Sequence, residues 1–193
     1  MCSSDLGGLK LVQGNLGRAV IKTSAVRKEF QVICAPARVF DSQQGFVDAF
    51  NRGEFKQDTV VVLTHQGPSA NGMPELHKLI PFLGVLQNSG LRVALLTDGR
   101  LSGASGRVLA AIHVTPSTLV GGLIGKVRDG DIISIDAQAG SLELEVSKDE
   151  TDQRSATTAD GQARPNGMGR ELFDVFRDAV SESEQGGTVL RRS

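Results

Sequence analysis

The chain has 193 residues, enough for one domain with an appendage, and 39% of them are hydrophobic. A net charge of −1, eight Phe and no Trp or Tyr provide neither a broad basic surface nor an aromatic stacking platform, which argues against nucleic acid and anionic membrane as partners. Two cysteines, Cys2 and Cys34, are too few for a disulfide scaffold or a cysteine-only metal site.

No stretch approaches the ~18 apolar residues that cross a bilayer, and no charged-then-apolar leader opens the chain. A reducing, cytoplasmic setting is therefore expected. Residues 1–6 are polar and patternless and read as extraneous or disordered. From Gly7 to about residue 150 the chain is dense in short β-type runs. These are Leu9–Val12, Ala19–Ile21, Gln31–Ile33, Thr59–Leu63, Val93–Leu96, Asp131–Asp136 and Ser141–Val146. Cys34 falls in the strand-like run Phe30–Ala35, where a free thiol is ordinarily a small buried hydrophobe.

Ser42–Asn51 groups Phe46, Val47, Ala49 and Phe50 as an amphipathic helix. Pro74–Gln87 carries Leu76, Leu79, Ile80 and Leu83 on a second helix, with Pro81 bending or ending its first turns. Residues 151–166 are polar and read as a linker. The remaining segment, 167–193, is a helix and tail. Its helix covers Gly169–Glu184, with Leu172, Phe173, Val175, Phe176 and Val180 as the apolar stripe. Many strands, few helices and frequent glycine turns predict a β-rich barrel or layered α/β domain with mixed strands, flanking helices and a C-terminal helix. Helices do not regularly separate the strands, so a doubly wound nucleotide fold is disfavoured. Gly14-Asn-Leu-Gly17 lacks the rest of a phosphate loop and reads as a turn.

Two segments carry candidate chemistry. The first, Thr97-Asp-Gly-Arg-Leu-Ser-Gly103, follows a buried-strand pattern. It is either a turn closed by an Asp cap and an Asp98–Arg100 surface pair, or a glycine turn that presents Ser102 amid backbone N–H groups. The second, Gly67-Pro-Ser-Ala-Asn-Gly-Met-Pro-Glu75, places Glu75 at a helix start. There it is either an ordinary first-turn acid or a carboxylate for a hard metal such as Mg²⁺. His77 and Lys78 follow on a helix face that is either solvated or an anion contact at a helix start. His113 sits among apolar neighbours and reads as structural. Arg18 and Lys22 carry no signal by themselves. The histidines His65, His77 and His113 form no triad with Ser102.

These motifs, taken in order, resemble the dihydroxy-acid/6-phosphogluconate dehydratase family. The likeness rests on Gly7-Gly-Leu, Ala19-Val-Ile-Lys-Thr, Ala37-Arg-Val-Phe-Asp-Ser42, Gly72-Met-Pro-Glu75, Thr97-Asp-Gly-Arg-Leu-Ser-Gly103, His113-Val-Thr-Pro116 and Val127-Arg-Asp-Gly-Asp131. It covers residues 7 to about 150 and is to the family's C-terminal domain. Ala70-Asn71, Leu76-His-Lys78, Ser102-Gly-Ala-Ser105 and the tail Gly169–Arg177 point to the branch acting on 6-phosphogluconate. A branch acting on another dihydroxy or sugar acid, or a non-catalytic barrel module, are the alternatives.

The resemblance implies a swivelling barrel-like domain and a hydro-lyase of the Entner–Doudoroff route. It assigns Ser102 as the base and Glu75 as a Mg²⁺ ligand; Asp98, Gly99, Arg100, Gly103, His77 and Lys78 are expected to bind substrate, with His77 and Lys78 holding its phosphate near the 76–78 turn. It further implies a 4Fe–4S iron–sulfur cluster held by an N-terminal domain of the same enzyme, and a homodimer of the full-length protein. Cys2 and Cys34 match none of the cluster cysteines, so the chain is expected to be a fragment, inactive alone. Ala104 stands where sugar-acid branches often carry Thr, leaving no hydroxyl there to assist the proton transfer.

Overall fold

The computed structural model describes residues 8–102, 107–156 and 171–190. Eight strands close into a barrel in the order β1-β2-β6-β5-β4-β3-β7-β8. They are β1 (Leu9–Gly14), β2 (Gly17–Lys22), β3 (Val32–Phe40), β4 (Thr59–Leu63), β5 (Val93–Thr97), β6 (Leu109–Thr115), β7 (Ile132–Asp136) and β8 (Ser141–Leu144). The β3-β4-β5-β6 stretch is parallel, and the β1/β2, β2/β6, β3/β7 and β7/β8 pairs are antiparallel. A single parallel pairing, Gln13 with Ser141, closes the ring. The mixed, helix-flanked barrel expected from the sequence is thus the observed architecture.

Parallel strands require crossovers, and two of these contain the main helices. Helix α1 (Gln43–Asn51) joins β3 to β4; the short α2 (Pro68–Asn71) and then α3 (Leu79–Asn88) join β4 to β5. The Ser42 hydroxyl accepts from the Gly45 N–H and caps α1. Strands β4 and β5 are buried along their whole length because both faces are covered, which is why their sequences are unbroken apolar runs. Val60, Val62, Ala94 and Leu96 point into the barrel with Leu109, Ala111, Ile133 and Ile135. The alternate residues Val61, Leu63, Val93 and Leu95 face α1 and α3. Five phenylalanines, Phe40, Phe46, Phe50, Phe55 and Phe82, pack edge-on or tilted in this second core.

Four elements differ from expectation. β3 runs on through Phe40, past Pro36. β6 occupies the segment read only as the surroundings of a histidine. Helix α3 starts at Leu79 instead of Pro74, which puts Pro81 in its first turn, where an N–H has no intrahelical partner to lose. A start at Pro74 would have driven the Pro81 ring against the carbonyl four residues back. The C-terminal helix is broken: a 3-10 turn (Glu171–Phe173) leads into α5 (Asp174–Ala179), and Val180 is extended. Its stripe is largely solvent-facing, with Leu172 at 71% and Val175 at 73% exposure. Residues 167–170 lie outside the described set.

A further helix, α4 (Lys148–Gln153), reaches into the stretch read as linker, of which 157–166 lies outside the described residues. Just beyond α4, Arg154 forms a two-pronged contact with Asp131 at 2.5 and 2.9 Å and anchors the helix to the start of β7. Cys34 is exposed on β3, against the buried position expected for it.

Phe46 is wholly buried at the centre of the aromatic group. Phe46→Ala is expected to destabilise the fold by about 3–5 kcal/mol, read as a lower midpoint in urea with an unchanged slope. Burial raises the Asp131 pKa, but the Arg154 bond and the Arg128 N–H outweigh it, and the carboxyl sits below its ordinary 3.8. A depressed carboxylate contributes stability above its unfolded pKa and loses that contribution as pH falls through the folded one. Asp131→Asn should therefore lower stability at pH 7 and converge on the parent chain in acid, once pH has fallen through the folded Asp131 pKa, in paired denaturation curves.

Candidate functional site

The C-terminal ends of parallel strands gather loops at one rim of the barrel, the usual position for ligands in such sheets. Here β4 delivers Thr64–Glu75 and β5 delivers Asp98–Ser102. Asp98 is fully buried. One of its oxygens accepts the Gln66 N–H at 2.9 Å and the other the Thr118 N–H at 3.1 Å. The carboxylate thus ties the β4 loop and the segment after β6 to the end of β5. The expected Asp98–Arg100 surface pair does not form.

Gly99 has no room for a side chain, since a Cβ there would lie 2.6 Å from the Gln66 Cβ. Its N–H donates to the Thr97 hydroxyl at 3.0 Å, and its carbonyl accepts the His113 N–H at 2.9 Å. The chain then turns outward and Arg100 pairs as an isolated parallel bridge with Glu75. Nε of Arg100 donates to the Met73 carbonyl at 2.8 Å, and its guanidinium lies 3.9 Å from Glu75 Oε2.

Glu75 Oε1 accepts two backbone N–H groups, from Ser102 at 2.9 Å and from His77 at 3.1 Å. The Ser102 N–H, with smaller help from the Ser102 hydroxyl, Arg100 and the His77 N–H, holds the Glu75 carboxyl below its ordinary 4.5 against the opposing effect of burial. Glu75 is therefore an ionised, hard oxygen donor with one oxygen free of backbone bonds. That suits Mg²⁺, which takes one or two protein carboxylates and completes its shell from water or substrate. Glu75 is not in a helix, so the first-turn explanation for it no longer applies.

Ser102 is exposed beside Glu75, and His77 and Lys78 are exposed on the turn that follows. Gly103 and Ala104 lie outside the described residues. Among the described residues no three His, Cys, Asp or Glu side chains converge on a point, and Cys34 has no second thiol beside it. An iron–sulfur cluster thus finds no thiolate set in the described residues.

Several rim residues escaped the sequence reading. Gln66 donates to the carbonyls of Asp41 and Thr64, both at 2.9 Å, and accepts from Asn71. His65, Met73 and His113 all have positive φ, at 59°, 52° and 57°, which costs non-glycine residues about 1–3 kcal/mol each. Such strain persists where surroundings over-determine it, and all three flank this rim. Burial, then Arg100, lowers the pKa of half-buried His113. Glu182 accepts from both the N–H and the hydroxyl of Ser117 at 3.0 Å, pinning the C-terminal segment to the rim. A residue-type signal for these contacts exists only at Gln66, a polar side chain directly after a buried strand.

The dihydroxy-acid/6-phosphogluconate dehydratase C-terminal family matches residues 2–187. A phosphogluconate dehydratase of Escherichia coli K12 is 56% identical over 187 residues, covering 97% of this chain and 31% of that protein. One from Zymomonas mobilis is 53% identical over 184 residues, 95% of this chain and 30% of the relative. A dihydroxy-acid dehydratase of Halothermothrix orenii is 41% identical over 152 residues, 77% of this chain and 27% of the relative. The chain spans about a third of the length of these curated relatives. With a mixed barrel whose rim unites Gly72-Met-Pro-Glu75 and Asp98-Gly-Arg-Leu-Ser102, the chain belongs to the dihydroxy-acid/6-phosphogluconate dehydratase family, in its C-terminal part.

Proposed function

We propose that this chain forms one wall of the active site of a 6-phosphogluconate dehydratase. The reaction converts 6-phospho-D-gluconate to 2-dehydro-3-deoxy-6-phospho-D-gluconate and water, the dehydration of the Entner–Doudoroff route. The observation that carries this reading is the 2.9 Å bond from the Ser102 N–H to Glu75, which joins the family's two motifs across 27 residues. The high identity to proteins named phosphogluconate dehydratase supports this substrate over a branched-chain dihydroxy acid.

In the proposed reaction the Ser102 oxygen takes the proton from C2. The C2 electrons form a double bond to C3, and the C3–O bond breaks. The proton removed from C2 and the departing hydroxide together make up the water released, and the resulting enol ketonises as its C2 hydroxyl loses a proton and C3 gains one. A Mg²⁺ held in part by Glu75 would supply positive charge that favours the serine alkoxide and holds the substrate carboxylate. Glu75, fastened to the Ser102 backbone, fixes the distance between metal ligand and base. Arg100, His77 and Lys78 offer donors to an anionic substrate, and Gly99 belongs to the turn that lets it approach. Asp98 acts from beneath, as the residue that positions this turn.

The remaining Mg²⁺ ligands and the iron–sulfur cluster would be supplied by the part of the longer relatives that lies outside the match. The functional assembly is the full-length cytoplasmic protein as a homodimer. Among the described residues no helix is long and apolar enough to cross a membrane.

Ser102→Ala in the full-length protein should lower kcat by about 10²- to 10⁴-fold and leave KM for 6-phosphogluconate within about threefold. Unchanged kcat would remove Ser102 as the base. The Glu75 carboxyl, followed by carbon-detected NMR in this chain, should titrate below 4.5. Because the Ser102 N–H is the largest cause, Arg100→Ala should raise that midpoint only part of the way back. The Ser102 and His77 amides should stay protected until pH falls through the Glu75 midpoint, then exchange faster.

A further inference from the structure

A second cavity adjoins the rim on its β2/β6 side. It encloses about 400 Å³, within the range of small-molecule sites, and its polar lining comes from Arg18, His113, Ser183 and Glu184. We propose that this cavity holds the phosphate of the sugar-acid substrate on Arg18, His113 and Ser183, with Glu184 the carboxylate that the phosphate displaces from Arg18. The inference rests on the dehydratase reading above and extends it to the far end of the substrate.

Two residues that line the cavity, His113 and Ser183, touch residues of the candidate site. The His113 N–H holds the Gly99 carbonyl at 2.9 Å, Arg100 holds the Met73 carbonyl at 2.8 Å, and the Ser183 hydroxyl lies 3.8 Å from the Met73 sulfur. His113 and Ser183, which line the cavity, are thus tied to Gly99 and Met73 of the candidate site. The 76–78 turn adjoins Glu75, since the His77 N–H is bonded to Glu75 itself. If Glu75 marks the carboxylate end of the substrate, the phosphate belongs at the opposite end of the six-carbon chain.

The fold aims His113 into this space. β2 pairs Arg18 with Thr115 but Val20 with Ile112, so β6 carries one extra residue opposite Ala19. That is a β-bulge, and the positive φ of His113 lies within it. Bulges beside active sites commonly re-aim a side chain. The imidazole is half-buried and has no hydrogen-bond partner among the described residues, so its donor remains unspent.

The charge arrangement suits a dianion. Arg18 and Glu184 meet at 3.0 Å with side chains 51% and 40% exposed, a type of pair worth only about 0–1 kcal/mol. An arginine binds phosphate through two parallel bonds and charge assistance, which is stronger. Arg100, near His113, adds positive potential, and among the described residues that line the cavity Glu184 is the one negative group. The C-terminal segment that supplies Ser183 and Glu184 is fixed by the Glu182–Ser117 bonds.

The test is an NMR titration of this full chain with inorganic phosphate, 6-phosphogluconate and gluconate. Phosphate and 6-phosphogluconate should shift the signals of Arg18, His113 and Ser183, and gluconate should not. Arg18→Gln should weaken phosphate binding about tenfold or more, and Glu184→Gln should tighten it about threefold. Opposite signs from two exposed substitutions separate binding from misfolding. Shifts confined to His77 and Lys78, or equal affinity in the Arg18→Gln chain, would overturn the proposal. In the full-length protein, Arg18→Gln should raise KM for 6-phosphogluconate about tenfold while kcat stays within about threefold. If phosphate binds as described but the full-length protein does not dehydrate 6-phosphogluconate, the dehydratase reading fails and the anion site stands. If dehydration occurs with KM indifferent to Arg18, the reading stands and the site fails.

Discussion

A carboxylate without contact to water persists only if its oxygens find donors, and Asp98 is such a carboxylate. Its two donors, the Gln66 and Thr118 N–H groups, come from loops that follow different strands. Both oxygens are satisfied only when the β4 loop and the segment after β6 close over the end of β5. The rest of the rim follows from that closure. Gln66 comes so near Gly99 that no side chain fits there, and the Thr118 hydroxyl accepts the His65 N–H at 3.3 Å. Arg100 is left alongside Glu75, and Ser102 within reach of its carboxylate.

The sequence made the buried parallel strands legible because being covered on both faces leaves an unbroken apolar run, as in Thr59–Leu63 and Val93–Thr97. Helix α1 was legible for a local reason, its Ser42 cap and apolar stripe. The misread elements depend on partners distant in sequence. β6 has His113 at a bulge, which breaks the period of two that marks a strand. The C-terminal helix has a good stripe, but Glu182 is drawn onto Ser117 across 65 residues and the helix stops before it. Helical periodicity carries no information about that contact.

The candidate site divides along the same line. Glu75 and Ser102 lie in short glycine- and proline-punctuated motifs that follow apolar runs, so each could be singled out locally. Their pairing could not be read from spacing, since it depends on β4 and β5 being neighbours in register from Thr59↔Val93 to Leu63↔Thr97. Asp98 looked like a surface turn residue because Asp-Gly is ordinary turn chemistry. Its burial comes in part from the 3-10 turn Thr118–Val120 after β6, whose first N–H it accepts and which no local pattern announces. Arg18 looked uninformative for the same reason: its neighbours His113 and Glu184 come from β6 and from the tail.

Arg100 is the group through which the two halves of the rim communicate. It is bonded to a neutral carbonyl, that of Met73, and stands 3.9 Å from Glu75, beyond hydrogen-bond distance. Its charge is therefore only partly spent on Glu75, and it also depresses the pKa of His113. On the proposed reading, a divalent cation at Glu75 would leave Arg100 facing like charge. An anionic substrate lying between them would offset both. Metal and sugar acid should then favour one another's binding, because each relieves the charge imbalance the other would face alone. The same reasoning explains why a dianionic phosphate belongs on the His113 side: Arg100 is near enough to lower the His113 pKa, and Glu184 is held there by an exposed pair weak enough to yield.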